Sequence, residues 1–390
     1  MPDYIPFNQI FKDHTELEAV QEILSGETWH GDGPAGKRVE AKLSKWLDSR
    51  FVFLTTSCTH ALEMAMMVFE IGHGDEVILP GFTFVSTANA VRMQGGIPVF
   101  AEIKASDLTL DPVDVARKIT PATKAVIPIH YAGVSADFEG IRKAIANHSG
   151  SGQQIAIVED AAQAVGAWWN DQALGTIGDI GCFSFHDTKN ITCGEGGAFL
   201  TQNRELAEKA EWIREKGTNR SAFLRGEIDK YTWISQGSSY IPSDLLAGVL
   251  EAQLEKRNQI LALRKQVWEA YRYRLQEAAA RQWITLPEIP EYASSNYHIF
   301  HFHVPDPADR DPLLRALKDA GIGASFHYIP LHNAPFAQKI LDHPVSLPRT
   351  EYLAQTLIRL PLYPDLARIS DDVADRVMKV LTRFFQSKGR

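Results

Sequence analysis

From residue 51 to about residue 200, short apolar runs alternate with stretches whose apolar residues recur every three or four positions. The runs are Phe51–Thr55, Glu76–Leu79, Pro98–Ala101, Ala125–Ile129, Ile155–Glu159, Cys182–Phe185 and Ala198–Thr201. Their shortness and their Val, Ile and Phe content predict buried strands. Between most of them lie His60–Phe69, Val85–Met93, Pro112–Lys118 and Phe138–Asn147, whose spacing predicts amphipathic helices. Strands alternating with helices predict an α/β fold, a largely parallel sheet covered on both faces. The segment His148-Ser-Gly-Ser-Gly-Gln-Gln reads as a surface loop.

The flanks read differently. An N-terminal arm leads into a helical pattern (Leu17, Val20, Ile23, Leu24), and a second helix is predicted around Val39–Leu47. A helix is predicted over 204–215, ending near Gly217, and 218–240 is polar, aromatic and irregular. Two long helical patterns follow, near Ser243–Glu255 and Asn258–Ala279. From 280 onward the chain holds a strand candidate with its flanks (His298–Val304), a helix (Pro312–Ala320), a second strand around Ala324–Tyr328 and a terminal helix (Asp371–Phe385). The change of character predicts a large domain with its arm over 1–255 and a smaller C-terminal α+β domain over 256–390.

Composition narrows the class. A chain of 390 residues with 45% apolar and 23% charged residues suits a soluble two-domain protein. The net charge of −8, with no long basic run, argues against nucleic acid as the main partner. Cys58, Cys182 and Cys193 are widely spaced and form no CxxC pair. That argues against a disulfide framework or a structural zinc site and fits a reducing, cytoplasmic setting. No basic segment followed by an apolar one marks a signal peptide at the N-terminus, and no apolar run reaches the roughly 18–20 residues of a membrane span.

Candidate chemistry gathers at the strand ends. In open α/β sheets ligands bind beyond the carboxyl ends of the strands. There lie Thr55-Thr-Ser-Cys-Thr59, Pro80-Gly-Phe-Thr-Phe84, His130-Tyr-Ala-Gly133, Asp160 with Gln163, and Ser184 with Lys189. The Ser/Thr-rich turn entering a helix suits a phosphate and equally an ordinary N-cap. Phe84 could stack on an aromatic ligand or sit in the core, and His130 reads as a hydrogen-bonded structural residue. Lys189, between an apolar run and the turn holding Gly194, Gly196 and Gly197, reads alone as a solvated surface lysine. With Asp160 it also matches the needs of pyridoxal phosphate (PLP) chemistry: an amine that forms a Schiff base, and a carboxylate that keeps the pyridinium protonated. Gly31 to Lys37 matches the start of a phosphate-binding P-loop, but Arg38 stands where Ser or Thr must hold magnesium. His298, His301, His303, His327 and His332 lack acidic or Cys partners at ligand spacing, so no metal site is expected.

Six stretches together resemble a known family: Ser57-Cys-Thr, Pro80-Gly-Phe-Thr-Phe, Val158-Glu-Asp-Ala-Ala-Gln163, Gly178-Asp-Ile-Gly, Ser184-Phe-His-Asp-Thr-Lys189 and Gly194-Glu-Gly-Gly197. Their order and spacing resemble the DegT/DnrJ/EryC1/StrS sugar aminotransferases over nearly the whole chain. The resemblance implies the type I, aspartate-aminotransferase-like fold with a seven-stranded, mostly parallel sheet, and a homodimer with shared active sites. It implies that Lys189 carries the PLP and that Asp160 pairs with the pyridinium nitrogen. Gln163 would contact the ring hydroxyl and Phe84 would stack on the ring. Ser57, Cys58, Thr59 and Ser184 would hold the phosphate. Where the family usually has Gly-x-Asn-x-Arg in the loop lent across the dimer, this chain reads Gly237-Ser-Ser-Tyr-Ile241, so Ser239 would take the asparagine's place.

Further stretches resemble one branch of the family: His130-Tyr-Ala-Gly-Val134, Arg214-Glu-Lys-Gly-Thr-Asn-Arg-Ser221, Asp229-Lys-Tyr-Thr-Trp233, Gly237-Ser-Ser-Tyr240 with Ser243-Asp244, and Phe326-His-Tyr-Ile-Pro-Leu-His332. That branch transfers an amine from L-glutamate to C4 of dTDP-4-dehydro-6-deoxy-D-glucose, giving dTDP-4-amino-4,6-dideoxy-D-galactose and 2-oxoglutarate. Asn219, Arg220, Tyr328 and His332 are then candidates for substrate contacts, with loop packing as the alternative. Rival expectations are a gluco-C4 or C3 aminotransferase, a PLP-dependent sugar dehydratase, in which histidine replaces the lysine, and a non-catalytic PLP-binding regulator.

Overall fold

The computed structural model describes residues 3–27, 29–148, 154–341 and 343–389. The predicted loop after His148 lies mostly outside them. The strands are β1 (Phe51–Thr55), β2 (Glu76–Pro80), β3 (Ile97–Ala101), β4 (Thr123–Val126), β5 (Ala156–Asp160), β6 (Trp168–Trp169), β7 (Gln172–Ala173), β8 (Ile180–Ser184), β9 (Gly197–Thr201), β10 (Ala293–Ser294), β11 (Phe300–His303) and β12 (Leu357–Leu360). Seven of them form one sheet in the order β1-β9-β8-β5-β4-β2-β3. Only β9 runs against its neighbours; the other six are parallel. This is the predicted α/β architecture, and each of the seven predicted runs supplies a strand.

Apolar residues on both faces of the strands explain why the sheet is buried. Val77 and Leu79 face one core cluster while Ile78, between them, faces another; Cys182 and Phe183 divide the same way. The predicted strand Ala125–Ile129 is shifted: β4 starts at Thr123 and ends at Val126. Pro128 has no N–H to give the ladder, so regular pairing stops before it.

A separate cluster contains Ile5 and residues from Val267 to Phe385, centred on Phe300, Phe302, Ile358 and Leu360 of β11 and β12. Helix Asp244–Glu255 packs on helices Thr15–Leu24 and Pro34–Leu47, whereas helix Arg257–Arg274 packs on the terminal helix Ser370–Ser387. On that basis we propose the domain division at 255/256. The N-terminal arm crosses it: the Ile5 amide donates to the Gly321 carbonyl (2.8 Å), and the Gly323 amide donates to the Ile5 carbonyl (2.9 Å).

Two expectations for the second half need correction. Ala324–Tyr328 is not a strand; Ser325 makes one isolated bridge to Arg359, and the partner of β11 is β12, which follows helix Pro348–Thr356. The helix predicted at Pro312 begins at Pro307, with the Asp306 carboxylate accepting from the Ala308 amide (2.9 Å). Pro312 lies inside it, so the first-turn proline is Pro307. No helix among the described residues is long and apolar enough to cross a membrane.

Candidate active site

The carboxyl ends of β1, β2, β5 and β8 open on one edge of the large sheet, and the start of the reversed strand β9 reaches the same edge. After β1, Ser57 caps helix Cys58–Val68; its Oγ accepts from the His60 amide (3.1 Å). That leaves the amides of Cys58 and Thr59, at the positive helix end, without intrahelical acceptors. The Thr59 and Ser86 hydroxyls lie 2.7 Å apart beside this turn. After β2, Phe84 stands at the N-terminus of helix Val85–Met93 with 56% of its surface exposed, far more than a core phenylalanine shows.

β5 ends in two carboxylates that point to opposite faces. Glu159 is fully buried and accepts from the amides of Gly175 (2.6 Å), Ile177 (2.7 Å) and Gly178 (2.6 Å), and from Nε2 of His130 (2.9 Å). The Ala136 amide donates to the other His130 nitrogen (3.1 Å). His130 is thus the hydrogen-bonded structural histidine the sequence suggested. Asp160 faces the sheet edge; Thr87 Oγ1 donates to it at 2.7 Å and the Ala162 amide at 3.2 Å. It has no ion-pair partner among the described residues. Burial pushes its carboxyl up from the usual range, against the pull of Thr87, Ala162 and Lys189.

Lys189 sits in the hairpin loop between β8 and β9. The loop is closed by Phe185 and Gly196 (2.8 Å), Asp187 and Gly194 (3.0 Å), and Cys193 and Phe185 (3.0 Å), the amide of the residue named first donating to the carbonyl of the second in each pair. Gly194 takes φ +87°, which favours glycine. The Lys189 amine has no hydrogen bond or ion pair among the described residues, and burial lowers its pKa. Gly197 brings β9 against the helix cap: a Cβ there would lie 2.4 Å from the Ser57 carbonyl carbon and 2.5 Å from the Cys58 nitrogen. Backbone cannot give way as a side chain can. Gly197→Ala is therefore expected to cost roughly 1–3 kcal/mol of stability, measured by urea unfolding; an unchanged midpoint would contradict this packing.

These elements enclose a cavity of about 740 Å³. It is lined by Ser57, Cys58, Thr59, Phe84, Asp160, Gln163, Ser184, Lys189 and Tyr328, all expected from the sequence. Gln163 accepts from the Ala132 amide (2.7 Å) and donates to the Tyr328 hydroxyl (3.1 Å). Four expected residues do not line it. Ser239 is exposed; Asn219 accepts from the Thr232 amide (2.8 Å); Arg220 pairs with Glu215 (2.5 Å). His332 is buried against Glu351 (3.0 Å) beneath Gly81. Sequence reading missed Thr87, which holds Asp160, because a helix-face threonine carries no signal. It also missed Phe7 and Asn8 of the arm, and Arg264, His298 and Arg359 of the second half. Burial pushes the His298 and His327 imidazoles well below their ordinary pKa.

With the geometry established, comparison with known proteins gives the family. The sequence profile of the DegT/DnrJ/EryC1/StrS aminotransferase family matches residues 11–382. The chain belongs to that family. Among solved structures, the aminotransferase TlmJ from Streptoalloteichus hindustanus is 29% identical, with a TM-score of 0.86 over 97% of this chain and 99% of that one. DesV from S. venezuelae gives the same identity, score and coverage. A Streptococcus pneumoniae protein described as a sugar aminotransferase, solved in its PMP form, shares the fold at a TM-score of 0.90 and 24% identity, over 99% of this chain and all of that one.

Proposed function

We propose that this aminotransferase uses PLP to move an amine from L-glutamate to C4 of dTDP-4-dehydro-6-deoxy-D-glucose, yielding dTDP-4-amino-4,6-dideoxy-D-galactose and 2-oxoglutarate. One observation carries the cofactor assignment. A lysine amine without a partner, a buried carboxylate without a cation and a hydroxyl-lined helix N-terminus converge on one cavity among the described residues. Each is half of an interaction that PLP completes: its aldehyde, its pyridinium N–H and its phosphate.

When bound, the cofactor supplies an electron sink and a carbonyl carbon that exchanges oxygen for nitrogen. The residues do the rest. Ser57, Ser184 and the amides of Cys58 and Thr59 would hold the phosphate at the positive helix end. Phe84 would pack on the ring, Gln163 would meet its hydroxyl, and Asp160 would accept the ring N–H and keep it protonated. Lys189 would hold the cofactor, and its amine, when free, would take and return the donor's α-proton; a pKa lowered by burial keeps more of the free base available. Lysine at 189 favours amino transfer over dehydration.

The sugar assignment is supported by Phe326-His-Tyr328, part of the branch-specific sequence, which lines the cavity. Asn219, Arg220 and Ser239 belong to a stretch that exposes Leu224, Tyr231, Trp233 and Ile234. Such a surface suits burial against a second copy, so we place Ser239 at the partner's cofactor in a cytoplasmic homodimer. Incubating the protein with dTDP-4-keto-6-deoxyglucose and glutamate tests the assignment. NMR of the product is expected to show an axial C4 amine; an equatorial amine, or no product, overturns it.

A further inference from the structure

Gln163 and Tyr328 meet at the cavity wall, and the direction of each hydrogen bond there is fixed. The Ala132 amide can only donate, so the Gln163 oxygen takes that bond (2.7 Å) and the Gln163 nitrogen faces the other way. From that nitrogen one N–H goes to the Tyr328 hydroxyl oxygen (3.1 Å). The hydroxyl therefore accepts from Gln163 and still has its own hydrogen to place. Neither that hydrogen nor the second N–H of Gln163 has an acceptor among the described residues. Burial, and after it the Asp160 charge, raise the Tyr328 pKa, so the hydroxyl keeps its hydrogen.

Both groups are held by one short turn, Tyr131–Gly133. Its middle residue, Ala132, takes φ +58°, a left-handed conformation that costs any residue with a Cβ, and its amide is the one that pins Gln163. The Tyr131 hydroxyl shares a hydrogen bond with Nδ1 of His327 (2.8 Å), and the His327 ring lies against Tyr328 with centroids 3.6 Å and planes 25° apart. Phe82 packs edge-on to Tyr328 at 5.3 Å, and Phe84 lies 6.4 Å from it. Asn296 completes the frame. Its side-chain amide donates to the Gln163 and Val165 carbonyls (2.9 Å each), and a Cβ on Gly133 would fall 1.8 Å from its Oδ1. Backbone strain of this kind persists only where the surroundings over-determine it, and it gathers at ligand sites.

Gln163 offers the cavity only N–H, and Tyr328, with its oxygen already in use, is left with an O–H. Two fixed donors 3.1 Å apart suit a single oxygen that accepts without donating, and an anionic oxygen binds such donors most strongly. We propose that Gln163 and Tyr328 together bind the ring oxygen of the cofactor as an oxyanion, with Tyr328 as its second donor. The family resemblance puts Gln163 alone at that oxygen and gives Tyr328 to the substrate. Phe84, expected to pack on the cofactor ring, lies beside Tyr328 rather than across the cavity from it. This assignment rests on the PLP reading and deepens it. Its consequence is electrostatic: donors that stabilise the anion let the bound cofactor give up its proton at lower pH.

PLP and, separately, its 3-deoxy analogue, which lacks only the ring oxygen, are titrated into cofactor-free wild type, Tyr328→Phe and Gln163→Leu, with binding read from fluorescence quenching. Tyr328→Phe keeps a ring to stack on His327 and removes the hydroxyl. It is expected to bind PLP about 10- to 100-fold more weakly than wild type does, the range for a lost hydrogen bond to a charged group, and to bind the analogue within about threefold of wild type. Gln163→Leu should show the same selective loss, which separates a missing contact from a disturbed fold. The visible absorbance of the Tyr328→Phe holoenzyme should change at a pH about one unit above that of wild type, since a tenfold loss of anion stabilisation is one unit. Equal losses for PLP and the analogue in Tyr328→Phe overturn the proposal. PLP affinity and an absorbance midpoint unchanged from wild type do so too, and return Tyr328 to the sugar. Wild type that takes up neither compound overturns the PLP reading itself, and this site with it.

Discussion

Lys189→Ala is expected to lower turnover by on the order of 10⁴-fold, the upper range for removing a positioned proton-transfer group, and to release the cofactor from covalent attachment. Both effects follow from one atom. The Lys189 amine has no hydrogen bond or ion pair among the described residues and faces the cavity, so its removal breaks no polar contact. Its loop is closed by backbone bonds around Phe185, Gly194 and Gly196 that do not involve the side chain. The variant should therefore fold, and loss of activity will report chemistry rather than collapse. Reducing the wild-type holoenzyme with borohydride and mapping its peptides should place the cofactor's mass on the peptide holding Lys189. A mass on any other peptide, or an alanine variant that keeps more than a few per cent of turnover, would refute the assignment. Lys189→Arg should be equally inactive, since guanidinium does not deprotonate near neutral pH.

Asp160→Asn carries the second large effect, a loss of roughly 10²- to 10³-fold, the scale for removing one preorganised electrostatic contact. Asparagine preserves size, and its oxygen can accept from the Ala162 amide while its NH2 donates to the Thr87 hydroxyl, but it cannot hold a proton on the ring nitrogen. Stability without cofactor should move the other way. Burial raises the Asp160 pKa in the folded protein above its unfolded value, so the folded state holds the proton longer. Stability from this group is then lost as pH rises from the ordinary carboxylate range through the raised folded pKa. The amide, which does not ionise, removes that loss. The cofactor-free variant is expected to melt at or above the wild-type temperature at pH 7, and to show less decline between acid and neutral pH. With cofactor bound the order should reverse, because the ring N–H repairs the buried charge in wild type alone. A cofactor-free variant that melts well below wild type at pH 7 would mean that Asp160 is a structural carboxylate, as its neighbour Glu159 is.

The contrast between those two neighbours shows how far residue-level reading reaches. Both end an apolar run, and strand alternation sends them to opposite faces. The face that meets the cavity was legible because strand-end loops in an open sheet share one edge. That rule alone brought Ser57, Phe84, Asp160 and Lys189 together, and all four line the cavity. It offered no account of the second half, where the cavity wall comes from irregular chain. Ala324–Tyr328 read as a strand because of its apolar and aromatic content, yet its backbone makes a single bridge while its side chains form a wall. His332 looked like a site residue by its place in a branch-specific stretch; it is buried against Glu351, just past the residues that reach the cavity.

What the sequence alone determined is everything with a local period or a local rule: seven strands, the helices between them, the rim on which the reactive residues stand, and the family. Only the tertiary structure decided that Thr87 holds Asp160, that Gly197 must be bare to let β9 touch the Ser57 cap, and that Phe7 lies over Arg359 from the far end of the chain. Those pairings have no signature in the sequence, because a contact between distant residues depends on how the elements and the N-terminal arm pack, and packing is set by shape summed over the whole chain rather than by any one stretch.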